Sequence, residues 1–331
     1  MDILVTGAAG FIGRMVMAEL AGRETLTVDG EARRIGTILA LDLDAAAMAD
    51  LAAADGRVRA LGGGLDDPAS AAAIAAARPG LVIHLAAVVS GAAEADFDLG
   101  IDVNLLGTLA LLRLCRGFGT PPVLLFSSSV AVFSCPDNDT IADDRTPEPR
   151  SSYGAQKLMG EILVRDASRK GFVRGRSLRF PTISVRPGKP NKAASSFASG
   201  ILREPLAGED AVLPVGPGLR LHLASPEAAL AAIVHAAGLT QDAVGAETTI
   251  TLPGVSVTVA EMVAALARLA GEAVAARVRP APDPAIETIV SSWPGEIRCP
   301  RALSLGFEAD ADFDALLSRH MARVGAARVS S

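Results

Sequence analysis

Seven residues near the start of the chain, Gly7-Ala8-Ala9-Gly10-Phe11-Ile12-Gly13, constrain the fold more than any other stretch. They follow a short apolar run, Ile3-Leu4-Val5-Thr6, and lead into residues 14–20, which read as a helix. A run this short and this apolar reads as a strand buried on both faces, as strands of parallel sheets are. Glycine is needed at the tight turn, where backbone approaches a phosphate, and where helix packs on strand. The start of the helix then offers N–H groups and the positive end of its dipole to a pyrophosphate. Strand, glycine turn and helix together predict the opening βαβ unit of a dinucleotide site, with Gly7, Gly10 and Gly13 as its glycines.

The same alternation continues. Residues 58–61, 81–85, 123–126 and 176–180 read as strands, and 44–54, 69–77, 104–115 and 152–170 as helices. Two runs compete for the second strand. Thr25-Leu26-Thr27-Val28 is interrupted at once by the turn dipeptide Asp29-Gly30, whereas Ile38-Leu39-Ala40-Leu41, ending at Asp42, is more apolar and is favoured. The fold class is α/β, a Rossmann-like doubly wound parallel sheet with a smaller C-terminal α/β substrate-binding part. After Pro181 the rhythm changes. A polar stretch over 184–195 precedes helices near 196–204, 226–237 and 258–270 and short strands at 219–223 and 248–252. The division read from this is an NAD-binding domain over 1–182 and a mainly substrate-binding part over 183–331, with some segments returning to the first.

Composition closes off other classes. With 50% hydrophobic and 21% charged residues the chain is no disordered protein, and a net charge of −6 argues against a nucleic-acid or anionic-membrane surface. No apolar run reaches the length needed to span a bilayer, and Asp2 with the early glycines is unlike a signal peptide. Cys115, Cys135 and Cys299 make neither a disulfide framework nor a metal-ligand spacing, which points to a reducing cytoplasm. His222, His235 and His320 are isolated, His84 reads as a hydrogen-bonded strand-end residue, and no metal is expected.

An acid at the end of the second strand binds adenosine ribose hydroxyls and repels a 2′-phosphate. Asp42 is the first candidate and Asp29 the alternative; either favours NAD over NADP. Arg33 and Arg34 read as a solvated polar edge. Tyr153 is the only tyrosine, and Lys157 stands four residues on, which places phenol and ammonium on one helix face. An ammonium beside a phenol, aided by the positive ring of NAD⁺, stabilises phenolate and makes tyrosine a base near neutral pH. A hydroxyl must also hold the substrate oxygen. Ser127-Ser128-Ser129 ends the fifth strand, and Ser129 is the candidate, since ligands bind at the carboxyl ends of strands in open α/β sheets. Arg186, Lys189 and Lys192 are candidate cations for a substrate carboxylate, with a hydroxyl from Ser195. Ser90, past the fourth strand, could reach a substrate hydroxyl, and Thr182, past the sixth, the nicotinamide amide.

Five ordered motifs resemble the extended short-chain dehydrogenase/reductase superfamily, the NAD-dependent epimerase/dehydratase family. They are the glycine loop from Thr6 to Gly13, His84-Leu85-Ala86-Ala87, Asn104-Leu-Leu-Gly107-Thr108, Phe126-Ser127-Ser128-Ser129, and Tyr153 to Lys157. The resemblance covers essentially the whole chain. It implies Ser129, Tyr153 and Lys157 as a catalytic triad, Asn104 in the proton relay, and Phe11, Ile12, Ala86, Pro181 and Thr182 among the cofactor contacts. It also implies a homodimer paired through helices 104–115 and 153–170. Where the superfamily carries an acid against adenine this chain has Gly64, so that contact would fall to backbone near Leu65. Within the superfamily the chain is similar to the D-erythronate dehydrogenases. The segments are Val88-Val89-Ser90-Gly91, Glu94-Ala-Asp96-Phe97-Asp98, Pro181 to Lys192, Ser195-Ser196-Phe197 and Arg203 to Leu206. That similarity implies oxidation of the C2 hydroxyl of a four-carbon sugar acid to a 2-oxo acid. Two alternatives stand beside it. One is a nucleotide-sugar epimerase or dehydratase with tightly held NAD; the other is a non-catalytic NAD sensor, although such proteins tend to lose the tyrosine or lysine.

Overall fold

In a computed structural model of the chain, the first apolar run is the strand Ile3–Thr6, fully buried along its length. The structure describes residues 1–331 apart from Ala45, Pro136, Pro187, 189–192 and 330–331, and apart from the side chains of 326–329. Ile3–Thr6 lies inside a seven-stranded sheet. Its order is Thr249–Thr251, Arg174–Phe180, Val123–Ser129, Leu81–His84, Ile3–Thr6, Ile38–Asp42, Val58–Gly62. Ile3–Thr6 pairs in parallel with both neighbours, as do Ile38–Asp42 with Val58–Gly62 and Leu81–His84 with Val123–Ser129. Strand order therefore reverses between Ile3–Thr6 and Leu81–His84, and the crevice at their carboxyl ends is where a doubly wound sheet takes its ligand.

The contest for the second strand is decided by hydrophobicity. Ile38–Asp42 is buried and joins the sheet. Thr25–Val28 pairs instead with Glu31–Arg34 in an antiparallel hairpin. Asp29 and Gly30 turn it with φ of 54° and 78°, both in the left-handed region that two-residue hairpin turns require. Arg33 and Arg34 are exposed on this hairpin, and Arg33 pairs with Glu31. Helices Pro68–Ala77, Gly107–Arg116 and Ser152–Arg169 cover the sheet through a core of Leu4, Leu39, Leu124, Ile74, Leu111 and Val164, among others.

The chain forms two units, and the division differs from a cut at residue 182. The first unit holds 1–129, 152–179 and 230–250; the second holds 130–151, 180–229 and 251–331. The strand at 248–252, grouped by sequence with the C-terminal part, is an edge of the main sheet. The loop expected over 134–151 contains the strand Thr140–Ala142, which pairs in parallel with Glu296–Arg298. The second unit also carries a three-stranded sheet of Thr182–Ile183, Arg220–Ala224 and Val255–Thr258. Its helix Val259–Ala270 begins with Thr258 and Glu261 capping each other's backbone N–H groups. Trp293 is buried in this unit, a packing residue. Among the described residues no helix is long and apolar enough to cross a membrane.

Candidate active site

Two glycines of the loop, Gly7 and Gly13, each meet a specific steric demand. Gly7 adopts φ +71°, and a Cβ there would lie 2.8 Å from the Ala86 nitrogen. A Cβ on Gly13 would sit 2.1 Å from the Gly7 carbonyl oxygen, so only glycine lets the helix start so close to the strand. Gly7 N–H and Ala8 N–H donate to the Leu41 carbonyl at 2.8 and 3.2 Å. The helix Phe11–Ala21 begins at Gly10 with no side-chain cap and no acidic residue in its first turn. An uncapped N-terminus at this crevice suits a pyrophosphate. Asp42 stands at the carboxyl end of its strand, where its carboxylate accepts from Ala9 N–H at 2.9 Å and from Leu43 N–H at 2.8 Å. Asp29 is engaged elsewhere: it pairs with Arg174 and Arg176 and accepts Gln241 N–H at 2.7 Å. Asp42 alone of the two lies beside the glycine loop. Leu65 packs its side chain into the sheet core after the loop Gly62-Gly63-Gly64. The residues present thus fit a dinucleotide, and the acid beside the loop fits NAD.

The helix Ser152–Arg169 carries Tyr153 and Lys157. Lys157 is only 2% exposed. Its ammonium lies 5.0 Å from the centre of the Phe126 ring and 5.7 Å from that of Tyr153. Burial pushes its pKa down from 10.5 to about 7, against a smaller opposing pull from the Glu161 carboxylate. Glu161, one turn further on and buried, accepts from Arg179 at 2.9 and 2.7 Å and from the Ser128 hydroxyl. Alternation along the strand Val123–Ser129 separates the serines: Ser128 is buried and spent on Glu161, while Ser127 and Ser129 share the other face and stay partly exposed at the strand end.

Asn104 lies in one wide, π-type helical turn, Ile101–Leu106, just before the helix Gly107–Arg116. Its side chain clamps one residue of the loop after the fourth strand. Oδ1 accepts Val88 N–H at 2.8 Å, and Nδ2 donates to Val88 O at 3.1 Å. The second Nδ2 hydrogen goes to Gln156 Oε1 at 2.7 Å. The Asn104 carbonyl accepts from Thr108 Oγ1 at 2.7 Å. His84 is a structural link in the same network. Thr6 Oγ1, which accepts Ala86 N–H, lies 2.7 Å from His84 Nδ1, and His84 Nε2 lies 3.1 Å from Thr108 Oγ1. Since the Thr108 hydroxyl is donated to Asn104, it accepts from Nε2–H, which sets the tautomer. Burial, and secondarily the Lys157 charge, push His84 down to about 3, so it stays neutral. Ser90 is buried at the start of the helix Ser90–Ala95. The first unit thus brings together the glycine loop, Asp42 and Ala86, and separately Tyr153 with Lys157 and Asn104 with Gln156. Sequence reading passed over Gln156; its place between Tyr153 and Lys157 was the available signal.

The other candidates lie in the second unit. Pro181 precedes the strand Thr182–Ile183, which pairs with Leu223 and Ala224. Arg186 donates from its backbone N–H to Ser199 Oγ at 3.0 Å, from Nε to Ile183 O at 3.1 Å and from Nη2 to Ser195 Oγ at 3.2 Å. Arg186 and Ser195 are therefore brought together, whereas Lys189 and Lys192 lie outside the described residues. Among the described residues no group of three or more His, Cys, Asp or Glu could hold a metal.

A family model described as the NAD dependent epimerase/dehydratase family matches residues 3–222. D-erythronate dehydrogenase of Cupriavidus necator is 49% identical over 328 residues, covering 99% of this chain and 100% of that protein. D-erythronate dehydrogenase of Haemophilus influenzae is 40% identical over 319 residues, covering 96% and 98%. A solved structure described as the nucleoside-diphosphate-sugar epimerase from Agrobacterium tumefaciens matches with a TM-score of 0.86 at 38% identity, over 97% of this chain and 93% of that one. With the glycine cradle, the uncapped helix and Asp42 in place, the chain belongs to the NAD-dependent epimerase/dehydratase family, as an NAD-dependent dehydrogenase of the extended short-chain dehydrogenase/reductase type.

Proposed function

We propose that the protein oxidises the C2 hydroxyl of a four-carbon sugar acid, D-erythronate, to the 2-oxo-tetronate. The observation that carries this reading is the buried Lys157 ammonium against the single tyrosine, in a chain 49% identical to a D-erythronate dehydrogenase. NAD⁺, when bound, accepts two electrons and one hydrogen from C2. Tyr153 takes the remaining proton, from the C2 oxygen, as phenolate. Ser129 donates a hydrogen bond to that oxygen and fixes it within reach of the phenol. Lys157 favours phenolate by its charge, an effect that low dielectric strengthens. Asn104 is assigned with Lys157 to the onward proton path. Arg186, with Ser195, is assigned to the substrate carboxylate, and Lys192 and Ser90 to further substrate contacts; Phe11, Ile12, Leu65, Ala86, Pro181 and Thr182 are assigned to the cofactor.

A homodimer is part of the proposal. Of the eight large apolar side chains exposed among the described residues, five, Phe97, Leu99, Leu106, Met159 and Ile162, lie on the helical stretch from Phe97 to Leu106 and on the helix Ser152–Arg169. Such a face on a soluble enzyme suits a second copy. The three free, buried thiols suit a reducing cytoplasm.

The test is NADH absorbance with NAD⁺ and, in turn, D-erythronate, L-threonate, D-threonate and a UDP-sugar. The expected result is NADH with D-erythronate, lost in Tyr153→Phe. A second reading, a nucleotide-sugar epimerase, draws on the 38% identical structure that bears that name. Conversion of the UDP-sugar without net NADH, and no reduction with any acid, would replace the first reading by the second.

A further inference from the structure

Gln156 is 1% exposed, and its Oε1 takes the second amide hydrogen of Asn104. It sits three residues after Tyr153 and one before Lys157, on the helix that carries both. Space for it is made by a glycine: a Cβ on Gly100 would lie 2.4 Å from Gln156 Nε2 and 2.9 Å from Oε1. Gly100 caps the wide turn in which Asn104 lies. Asn104 in turn holds both backbone groups of Val88. A chain of contacts thus runs from the Tyr153–Lys157 helix to the loop between the fourth strand and the helix Ser90–Ala95. This loop carries Ala86 at one end and Ser90 at the other, and Ala86 N–H is tied to Thr6 Oγ1 at 3.2 Å. The two Val88 bonds fix which end of the Asn104 amide is oxygen, so the remaining Nδ2 hydrogen needs an acceptor, which Gln156 Oε1 supplies.

We propose that Gln156 is a positioning residue for the reaction: acting through Asn104, it registers the substrate-side loop 86–90 against the catalytic helix. The inference rests on the sugar-acid reading for its kinetic part only. Three independent donors and acceptors meet on Asn104, and only the bond to Gln156 reaches the helix that bears the base.

The experiment compares Gln156→Met, which removes the acceptor at similar size, with Gln156→Glu, which keeps it. Amide hydrogen exchange at Val88 is read first, on cofactor-free protein. Loss of one buried hydrogen bond corresponds to about a tenfold change. Q156M should raise exchange at Val88 about tenfold, with exchange in the sheet strands unchanged, and Q156E should restore it. NADH affinity, read by fluorescence titration, should stay within about twofold in both. With D-erythronate, kcat should fall about tenfold in Q156M and recover in Q156E. Because Q156E could fold poorly, Q156M is also placed on Asn104→Ala. There it should add no further loss of kcat or of Val88 protection, since Gln156 acts through Asn104. Unchanged exchange and kcat in Q156M, an equal loss of NADH affinity and kcat, or additive losses with N104A would each overturn the proposal. A wild-type enzyme silent with D-erythronate would instead sink the substrate reading, and the exchange measurements would still decide the role of Gln156.

Discussion

Replacing Lys157 by Met should stabilise the cofactor-free protein while destroying its activity. A fall from 10.5 to about 7 means that holding the ammonium in its buried place costs about 5 kcal/mol, and about 4 kcal/mol at pH 7, where the folded protein is half titrated. The sign follows from proton counts. Below about pH 7 folded and unfolded chains both carry the proton, and the penalty is complete and flat. Between about 7 and 10.5 the unfolded chain binds more protons than the folded one, so this group's contribution makes stability rise with pH. Above 10.5 the penalty is gone. Met keeps the shape and is never charged, but it gives up the ammonium's attraction to the Phe126 and Tyr153 rings, worth about 1–2 kcal/mol. The net expectation is a K157M variant about 2–3 kcal/mol more stable than the parent at pH 7. That advantage should shrink by pH 10. Urea unfolding of both proteins at the two pH values measures it, and the comparison between proteins cancels every other titrating group. Turnover should fall at least about a hundredfold. A variant no more stable at pH 7, or a gap that does not narrow toward pH 10, would refute the account of Lys157 as a strained buried cation.

Three further outcomes are expected. Asp42→Asn keeps an acceptor for Ala9 N–H but removes the charge that repels a 2′-phosphate, so the ratio of kcat/KM for NADP over NAD should rise at least about tenfold in steady-state assays. Asp29→Asn leaves the fully buried Arg176 and its neighbour Arg174 without a counter-charge, and should cost about 3–5 kcal/mol in chemical denaturation; a change under about 1 kcal/mol would contradict the role given to that acid. All three thiols are buried, and burial pushes Cys115 and Cys299 up to about 12, so a thiol reagent should label none in the native protein and all three after unfolding.

What could be read from sequence was what is local. The glycine loop, the choice of Ile38–Asp42 over Thr25–Val28, and the Tyr153–Lys157 spacing each announce themselves within a few residues, through steric demand or side-chain period. The strand Thr249–Thr251 is legible in the sequence, but its place at the sheet edge is not, since that depends on Arg174–Phe180 far upstream. Thr140–Ala142 escapes altogether, because it is three residues long and its partner Glu296–Arg298 lies in a distant part of the chain. The short helices Ser90–Ala95 and Phe97–Gly100 are separated by Asp96, which caps the second by accepting Leu99 N–H, and neither is long enough to show a face. At the site, sequence named Lys157 but could not foresee the burial that lowers its pKa, since that depends on Phe126 and on what covers the helix. It named Asn104 for the proton relay, but not the commitment of its amide to Val88 and Gln156, partners 16 and 52 residues away.

The path of the chain between its two units bears on how the protein is made. The first unit draws on three separate stretches, and its edge strand Thr249–Thr251 comes last. A ribosome will have finished the glycine loop, the catalytic helix and most of the second unit's central residues before the sheet receives its seventh strand. Arg174–Phe180 waits meanwhile with an unpaired edge, the kind of surface that invites wrong partners. Long-range closure of this kind slows folding. A fragment ending near residue 182 would hold the whole glycine loop and the tyrosine–lysine pair, yet it would keep that edge open permanently. Dissection of this enzyme into a free cofactor domain should therefore yield aggregate, and circular permutants that keep 230–250 with the first unit are the better route to an isolated one.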